Sequence, residues 1–308
     1  MRAVDRPDIT PELVSRLVAH EFPQWADLPV SRVELDGWDN KTFRLGPTMS
    51  VRLPSADVYV AQIDKEHRWL PVLGRDLPLP IPEPLAKGGP ALGFPFPWSV
   101  YRWIDGETAT SATVADRTQF ARDLAAFLTA LHACDAGEGP AAGAHSHTRG
   151  GPVAVWDDQT RDALDRLSGE IDVAGATEVW DEALDSRWDR PPVWVHGDIT
   201  GSNLLVRRGR LSAVIDFGCS AVGDPACDTA IAWTFFAGES RAQFKSLVPV
   251  DDATWARGRG WALWKALIEI VPDLSKPGRA ERSATRFGWR HSPRQIVDEV
   301  ITDQRCTA

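Results

Sequence analysis

Three oxygen-bearing side chains stand close together in one stretch of this sequence. Asp198 is followed by Asn203 five residues later and by Asp216 thirteen residues after that. An apolar run, Val193-Trp194-Val195, leads into His196-Gly197-Asp198, and Leu204-Leu205-Val206 follows Asn203. A turn at Arg207-Arg208-Gly209-Arg210 then sends Leu211-Ser212-Ala213-Val214-Ile215 back toward Asp216. Alone, each of the three polar residues is an ordinary turn former. Together, between apolar strands, they suit phosphoryl transfer, which asks a protein for positioning and charge neutralisation rather than covalent chemistry. Mg²⁺ takes hard oxygen ligands, usually one or two from the protein and the rest from phosphates and water. Asn203 and Asp216 are the candidate metal ligands. Asp198 is the candidate base for an acceptor hydroxyl, a role worth about 10²–10⁴ in rate.

The elements around this stretch are legible from periodicity and punctuation. Thr10-Pro11 opens a helix carrying Leu13, Val14, Leu17 and Val18 at helical spacing. Val30–Leu35 and Lys41–Leu45 read as strands around a turn at Asp36–Asn40, and Met49–Leu53 as the next strand. Period two puts Met49, Val51 and Leu53 on one face and Ser50 and Arg52 on the other. Ser55 is expected to cap a helix reaching Leu73, with Gly74 as its stop. The prolines of 77–84 impose an extended segment, and Trp98–Ile104 reads as a buried strand ended by Asp105-Gly106.

Residues 114–133 form an amphipathic helix in this reading, with Phe120, Leu124, Phe127, Leu128 and Leu131 on one side and His132 a structural residue. The Gly-, Ala- and His-rich stretch 135–152 reads as a mobile loop, and its His145 and His147 lack a third metal ligand. Helices are expected over 156–168 and 176–186, from Gly223-Asp224-Pro225 through Ala237, and near 239–247, 251–270 and 293–304. Gly258-Arg259-Gly260 has no strand before it and no third Gly after it, so it is no phosphate loop.

The stretches HGDITGSN (196–203) and IDFG (215–218) resemble the catalytic and metal motifs of the aminoglycoside phosphotransferase family, small-molecule kinases with a protein-kinase-like fold. GWDN (37–40) and GDPACD (223–228) extend the likeness over most of the chain. Gly197 stands where a protein kinase more often carries Arg. The resemblance implies an α+β, bilobal fold. A small antiparallel N-lobe (1–103) binds nucleotide, and a mostly helical C-lobe (104–308) carries catalysis and the acceptor. ATP and Mg²⁺ are the implied cofactors, with GTP left open.

By the same resemblance, the hairpin at GWDN covers the nucleotide phosphates. Arg52 stands at the strand position that usually carries a phosphate-binding Lys; a guanidinium also pairs with phosphate oxygens, and Lys41 and Lys65 are alternatives. Glu66 corresponds to the helix carboxylate that pairs with that cation. The backbone C=O of Arg102 and N–H of Ile104 correspond to the adenine contacts, and His196 supports the catalytic loop from behind. The implied reaction is phosphorylation of a hydroxyl on a small molecule, first an aminoglycoside-type antibiotic inactivated by it, second a macrolide or small metabolite. A nucleotide-binding homologue without catalysis is the third reading, motivated by Arg52 and opposed by intact Asp198, Asn203 and Asp216.

Trp233, Trp255, Trp261 and Trp264, with Glu239, Asp251, Asp252 and Glu269, are candidate acceptor-cleft residues, weighed against plain core tryptophans and solvated acids. The short segment between Asp216 and Asp224 leaves no room for a peptide platform.

Composition narrows the partners. The 308 residues carry a formal net charge of −9, which argues against nucleic acid and anionic membrane and suits a cationic substrate. No stretch is apolar enough for a leader or a membrane span, and Cys134, Cys219, Cys227 and Cys306 lack metal or redox spacing. A cytoplasmic enzyme with no obligate protein partner is the expectation.

Overall fold

The computed structural model describes residues 8–33, 39–109, 114–275 and 278–307. It divides into two compact units, the described residues up to Arg75 with Pro80–Asp105, and Asp76–Leu79 with the described residues from Gly106 onward.

The first unit begins with α1 (Pro11–Glu21), capped by the Thr10 hydroxyl accepting from Leu13 N–H at 3.2 Å. Its sheet comprises β1 (Val30–Arg32), β2 (Asn40–Leu45), β3 (Met49–Pro54), β4 (Pro84–Gly88) and β5 (Trp98–Arg102). The strands run antiparallel in the order β1-β2-β3-β5-β4. Met49, Val51 and Leu53 join Phe43, Leu45, Trp98 and Val100 in a core closed by Val14, Leu17 and Val18 of α1. The other face of β3 and β5 presents Arg52 and Tyr101, which α2 (Ala61–Leu73) meets with Glu66. That helix starts later than the sequence suggests. Residues Asp57–Tyr59 form a tighter 3₁₀ turn, so Ser55 does not cap α2. Of the GWDN motif, Gly37 and Trp38 lie outside the described residues, as do the end of the expected first strand and most of its turn.

The second unit opens with β6 (Glu107–Thr108) and α3 (Arg117–Ala133), whose start is set by Asp116 accepting from Gln119 N–H at 2.9 Å. Then come α4 (Asp157–Arg166), α5 (Val173–Asp185) and β7 (Val193–Val195). The hairpin of β8 (Leu204–Arg207) and β9 (Arg210–Val214) follows, then β10 (Ala221–Gly223), which pairs with β7. Six helices complete it: α6 (Ala226–Thr229), α7 (Ile231–Thr234), α8 (Gly238–Leu247), α9 (Asp252–Asp273), α10 (Arg279–Phe287) and α11 (Pro293–Thr307). The single helix expected from Pro225 to Ala237 is two short ones broken at Ala230, and α10 was not signalled at all. Its buried residues are only Ala280 and Ala284, too small to print an apolar stripe in the sequence.

Helix α9 is the axis of this unit, packing on α4, α5, α6, α10 and α11. Gly258 faces Thr229 and Gly260 faces the Ala183 methyl, so the Gly-Arg-Gly run serves close helix contact. No helix among the described residues is long and apolar enough to cross a membrane.

Candidate active site

The loop after β7 has no regular structure of its own, and a buried carboxylate suspends it. Asp228, fully buried on α6, accepts from His196 N–H at 2.8 Å and from Gly197 N–H at 2.7 Å. His196, also fully buried, bridges the loop to the hairpin. Its Nε2–H donates to Ile215 O at 3.0 Å, while Nδ1 accepts from Asp198 N–H at 3.2 Å. Those two bonds select the neutral tautomer protonated at Nε2. The ring also stands edge-on to Phe217, 4.6 Å between centroids. Gly197 has φ +84, and a Cβ there would meet Cys219 O at 2.5 Å, so a larger residue has no room at this point.

Held in this way, Asp198 has both carboxylate oxygens engaged. Asn203 Nδ2 donates to Oδ2 at 3.1 Å and to the Asp198 backbone O at 2.9 Å, and Lys265 Nζ of α9 lies 3.3 Å from Oδ1. Burial pushes the Asp198 carboxyl up, but Lys265 and Arg149 outweigh it, and the group rests below the usual aspartate range. A third of the side chain stays open to solvent, which leaves an ionised acceptor accessible to a hydroxyl.

Hairpin register delivers the next carboxylate. Leu204 opposes Val214, and Ile215 N–H donates to Asn203 O at 2.9 Å, so Asp216 emerges beside Asn203. Asp216 adopts φ +67, the left-handed region that Asp tolerates better than most residues. The Asn203 amide is turned by its two bonds to Asp198, which leaves Oδ1 without a hydrogen-bond donor among the described residues. A free amide oxygen and a neighbouring carboxylate are hard donors of the kind Mg²⁺ takes alongside phosphate and water. No cluster of three or more His, Cys, Asp or Glu side chains fit for a metal occurs among the described residues.

In the sheet unit, Arg52 Nη1 lies 3.3 Å from both oxygens of Glu66, which also accepts from Tyr101 OH. The Arg52 guanidinium sits 5.5 Å from the Tyr101 ring centroid. Burial, then the charge of Glu66, pushes the Tyr101 hydroxyl well up, so it stays a donor. At the end of β5 the side chain of Arg102 is exposed and pairs with Glu83 at 2.6 Å, and its N–H donates to Glu83 O at 2.9 Å. Trp103 N–H donates to Thr48 O at 2.8 Å, while Ile104 N–H makes no hydrogen bond among the described residues.

Several residues escaped the sequence reading. Lys265 carried one signal, a charged residue inside the buried run Trp261–Leu267, which calls for a buried partner. Arg149 carried none, whereas Asp228, a structural residue and an anchor for this loop region in the sequence reading, does hold the loop through two backbone N–H groups. The stretch 135–152 is pinned rather than mobile. Val222 N–H donates to Pro140 O at 2.8 Å, Ala142 N–H to Val222 O at 3.1 Å and Asp224 N–H to Gly150 O at 2.7 Å. His145 turns its Nε2 to Ala141 O at 2.8 Å. Of the acceptor-cleft candidates, Trp233 and Trp261 are fully buried and Trp255 and Trp264 nearly so, while Asp251 caps α9 and Glu269 accepts from Ser283 Oγ.

The model of the phosphotransferase enzyme family matches residues 31–261. The fold is similar to the GDP and kanamycin complex of APH(2″)-IIia, at TM-score 0.68 and 17% identity over 96% of this chain and 99% of that one. It is also similar to the streptomycin and ATP ternary complex of APH(2″)-IIa, at 0.59 and 16% over 94% and 99%. Macrolide 2′-phosphotransferase MphH from Brachybacterium faecium matches at 0.60 and 20% over 91% and 97%. No curated protein matches the sequence.

Proposed function

The chain belongs to the phosphotransferase enzyme family and has its protein-kinase-like fold, and from that premise we propose that it transfers the terminal phosphoryl group of a nucleoside triphosphate to a hydroxyl of a small molecule. The observation that carries this reading is the suspended Asp198, ionised, accessible, and held on both carboxylate oxygens. As the acceptor oxygen bonds to the terminal phosphorus and the bond to the leaving diphosphate breaks, Asp198 takes the hydroxyl proton. Asn203 Oδ1 and the Asp216 carboxylate are the residues that would hold Mg²⁺, which supplies charge neutralisation on the phosphates. Arg52, aligned by Glu66, is the cation for the inner phosphates. The N–H of Ile104 and the C=O of Arg102 are the main-chain groups for the base.

Solved neighbours named for kanamycin, streptomycin and macrolides support an antibiotic acceptor, with the aminoglycoside class to be assayed first and macrolides second. The test is phosphate transfer from ATP and from GTP to a panel of aminoglycosides, macrolides and small polyols, followed by mass of the product. A mass gain of one phosphate on any acceptor supports the reading. Absence of both nucleotide binding and transfer sinks it.

A further inference from the structure

We infer that Lys265 and Arg149 form a clamp for an oxyanion beside Asp198, supplied either by the phosphoryl group in transit or by an acidic group on the acceptor. The inference rests on the phosphotransferase reading and deepens it at the same site.

Lys265 rises from the middle of α9 with 6% of its surface exposed. An ammonium has three donors. Among the described residues only one is used, on Asp198 Oδ1 at 3.3 Å. Arg149 is placed against the catalytic loop, since a Cβ on Gly197 would come within 2.8 Å of its Cβ. Its Nη1 donates to His147 O at 3.0 Å, but Nε is buried without a partner and Nη2 makes no hydrogen bond among the described residues. No carboxylate among the described residues forms an ion pair with this guanidinium. Its plane is instead supported by indoles, 4.9 Å from the Trp264 ring centroid and 5.7 Å from that of Trp261, and Trp156 stacks on Trp264 at 4.4 Å.

Lys265 thus contacts the catalytic carboxylate, and Arg149, packed against Gly197 one residue before it, adds a second positive charge at the place where a hydroxyl must react. Arg149 Nε is sealed from solvent. The donors open to a ligand are therefore Nη2 of Arg149 and the spare N–H groups of Lys265, and such donors are costly unless something accepts from them. The matching group carries several oxygens and negative charge, which is what a phosphoryl group or a carboxylate offers to Arg and Lys. An ammonium group of a polycationic acceptor would meet like charge at this point.

Calorimetric titration of MgATP, MgADP, and inorganic phosphate added to the MgADP complex tests this. The proteins are the wild type, Lys265→Met, Arg149→Met, and the charge-keeping Lys265→Arg and Arg149→Lys. If the clamp serves the nucleotide, the wild type prefers MgATP to MgADP, and each Met variant loses roughly ten- to a hundredfold of that preference with MgADP affinity unchanged. If it serves the acceptor, that preference stays and the Met variants lose binding of inorganic phosphate to the MgADP complex. In either case the charge-keeping variants retain most of the effect, which separates lost charge from a lost fold. Both quantities unchanged in both Met variants, or neither effect present in the wild type, overturns the clamp. Binding of MgADP to the wild type keeps the phosphotransferase reading standing in that event, and its absence removes the reading itself.

Discussion

Glu66 in the sheet unit and Asp198 in the helical unit are both carboxylates facing a cation, yet the two are held by different means. Glu66 stands on α2, Arg52 on β3 and Tyr101 on β5, all regular elements whose periodicity already sets the direction of each side chain. Asp198 stands on a loop without periodicity. Its position depends on side chains that bind backbone: Asp228 on two N–H groups, His196 between Asp198 N–H and Ile215 O. Where regular structure does the aiming, residue identity has latitude. Where single hydrogen bonds do the aiming, each partner is specific.

Substitutions on the two sides should therefore fail differently. The largest effect is expected from Asp198→Ala. Turnover should fall by about 10²–10⁴ while the Kd for Mg-nucleotide stays put, and undiminished turnover would remove Asp198 from the base role. Asp216→Ala should act on binding, weakening Mg-nucleotide affinity by roughly ten- to a hundredfold; a titration matching the wild type would contradict its assignment to the metal.

Asp228→Asn probes the suspension itself. Asn offers one oxygen where the loop presents two donors, so one buried N–H loses its partner at a cost of about 1–3 kcal/mol, read as a lower urea midpoint together with reduced turnover. An unchanged midpoint would mean the loop stands without it. The smallest effect is expected from Arg52→Lys, a change of only a few-fold in nucleotide affinity because Glu66 still aligns the cation. A loss as large as that of Asp216→Ala would erase the contrast between the two units.

What could be read in the chain followed distance along it. The β8–β9 hairpin with Asn203 at its entry and Asp216 at its exit is a local structure, written in alternation and a turn, so its register was legible. The same holds for Thr10 capping α1 and for the apolar face of β3. Legibility ended where caps were ambiguous or side chains small. Ser55 looked like a cap but precedes a 3₁₀ turn, and α10 packs through two alanines. The loop 135–152 departs from the mobile segment its Gly and Ala suggest, because Gly150 and Pro140 offer carbonyls to the β10 segment.

By itself the sequence determined which oxygen-bearing groups share one hairpin, because strand period and turn chemistry act over a few residues. Only the tertiary structure decided what surrounds them. Lys265 meets Asp198 across 67 positions of chain, and Asp228 meets His196 across 32, since burying α9 and α6 brings those side chains to the loop and no local rule encodes that closure.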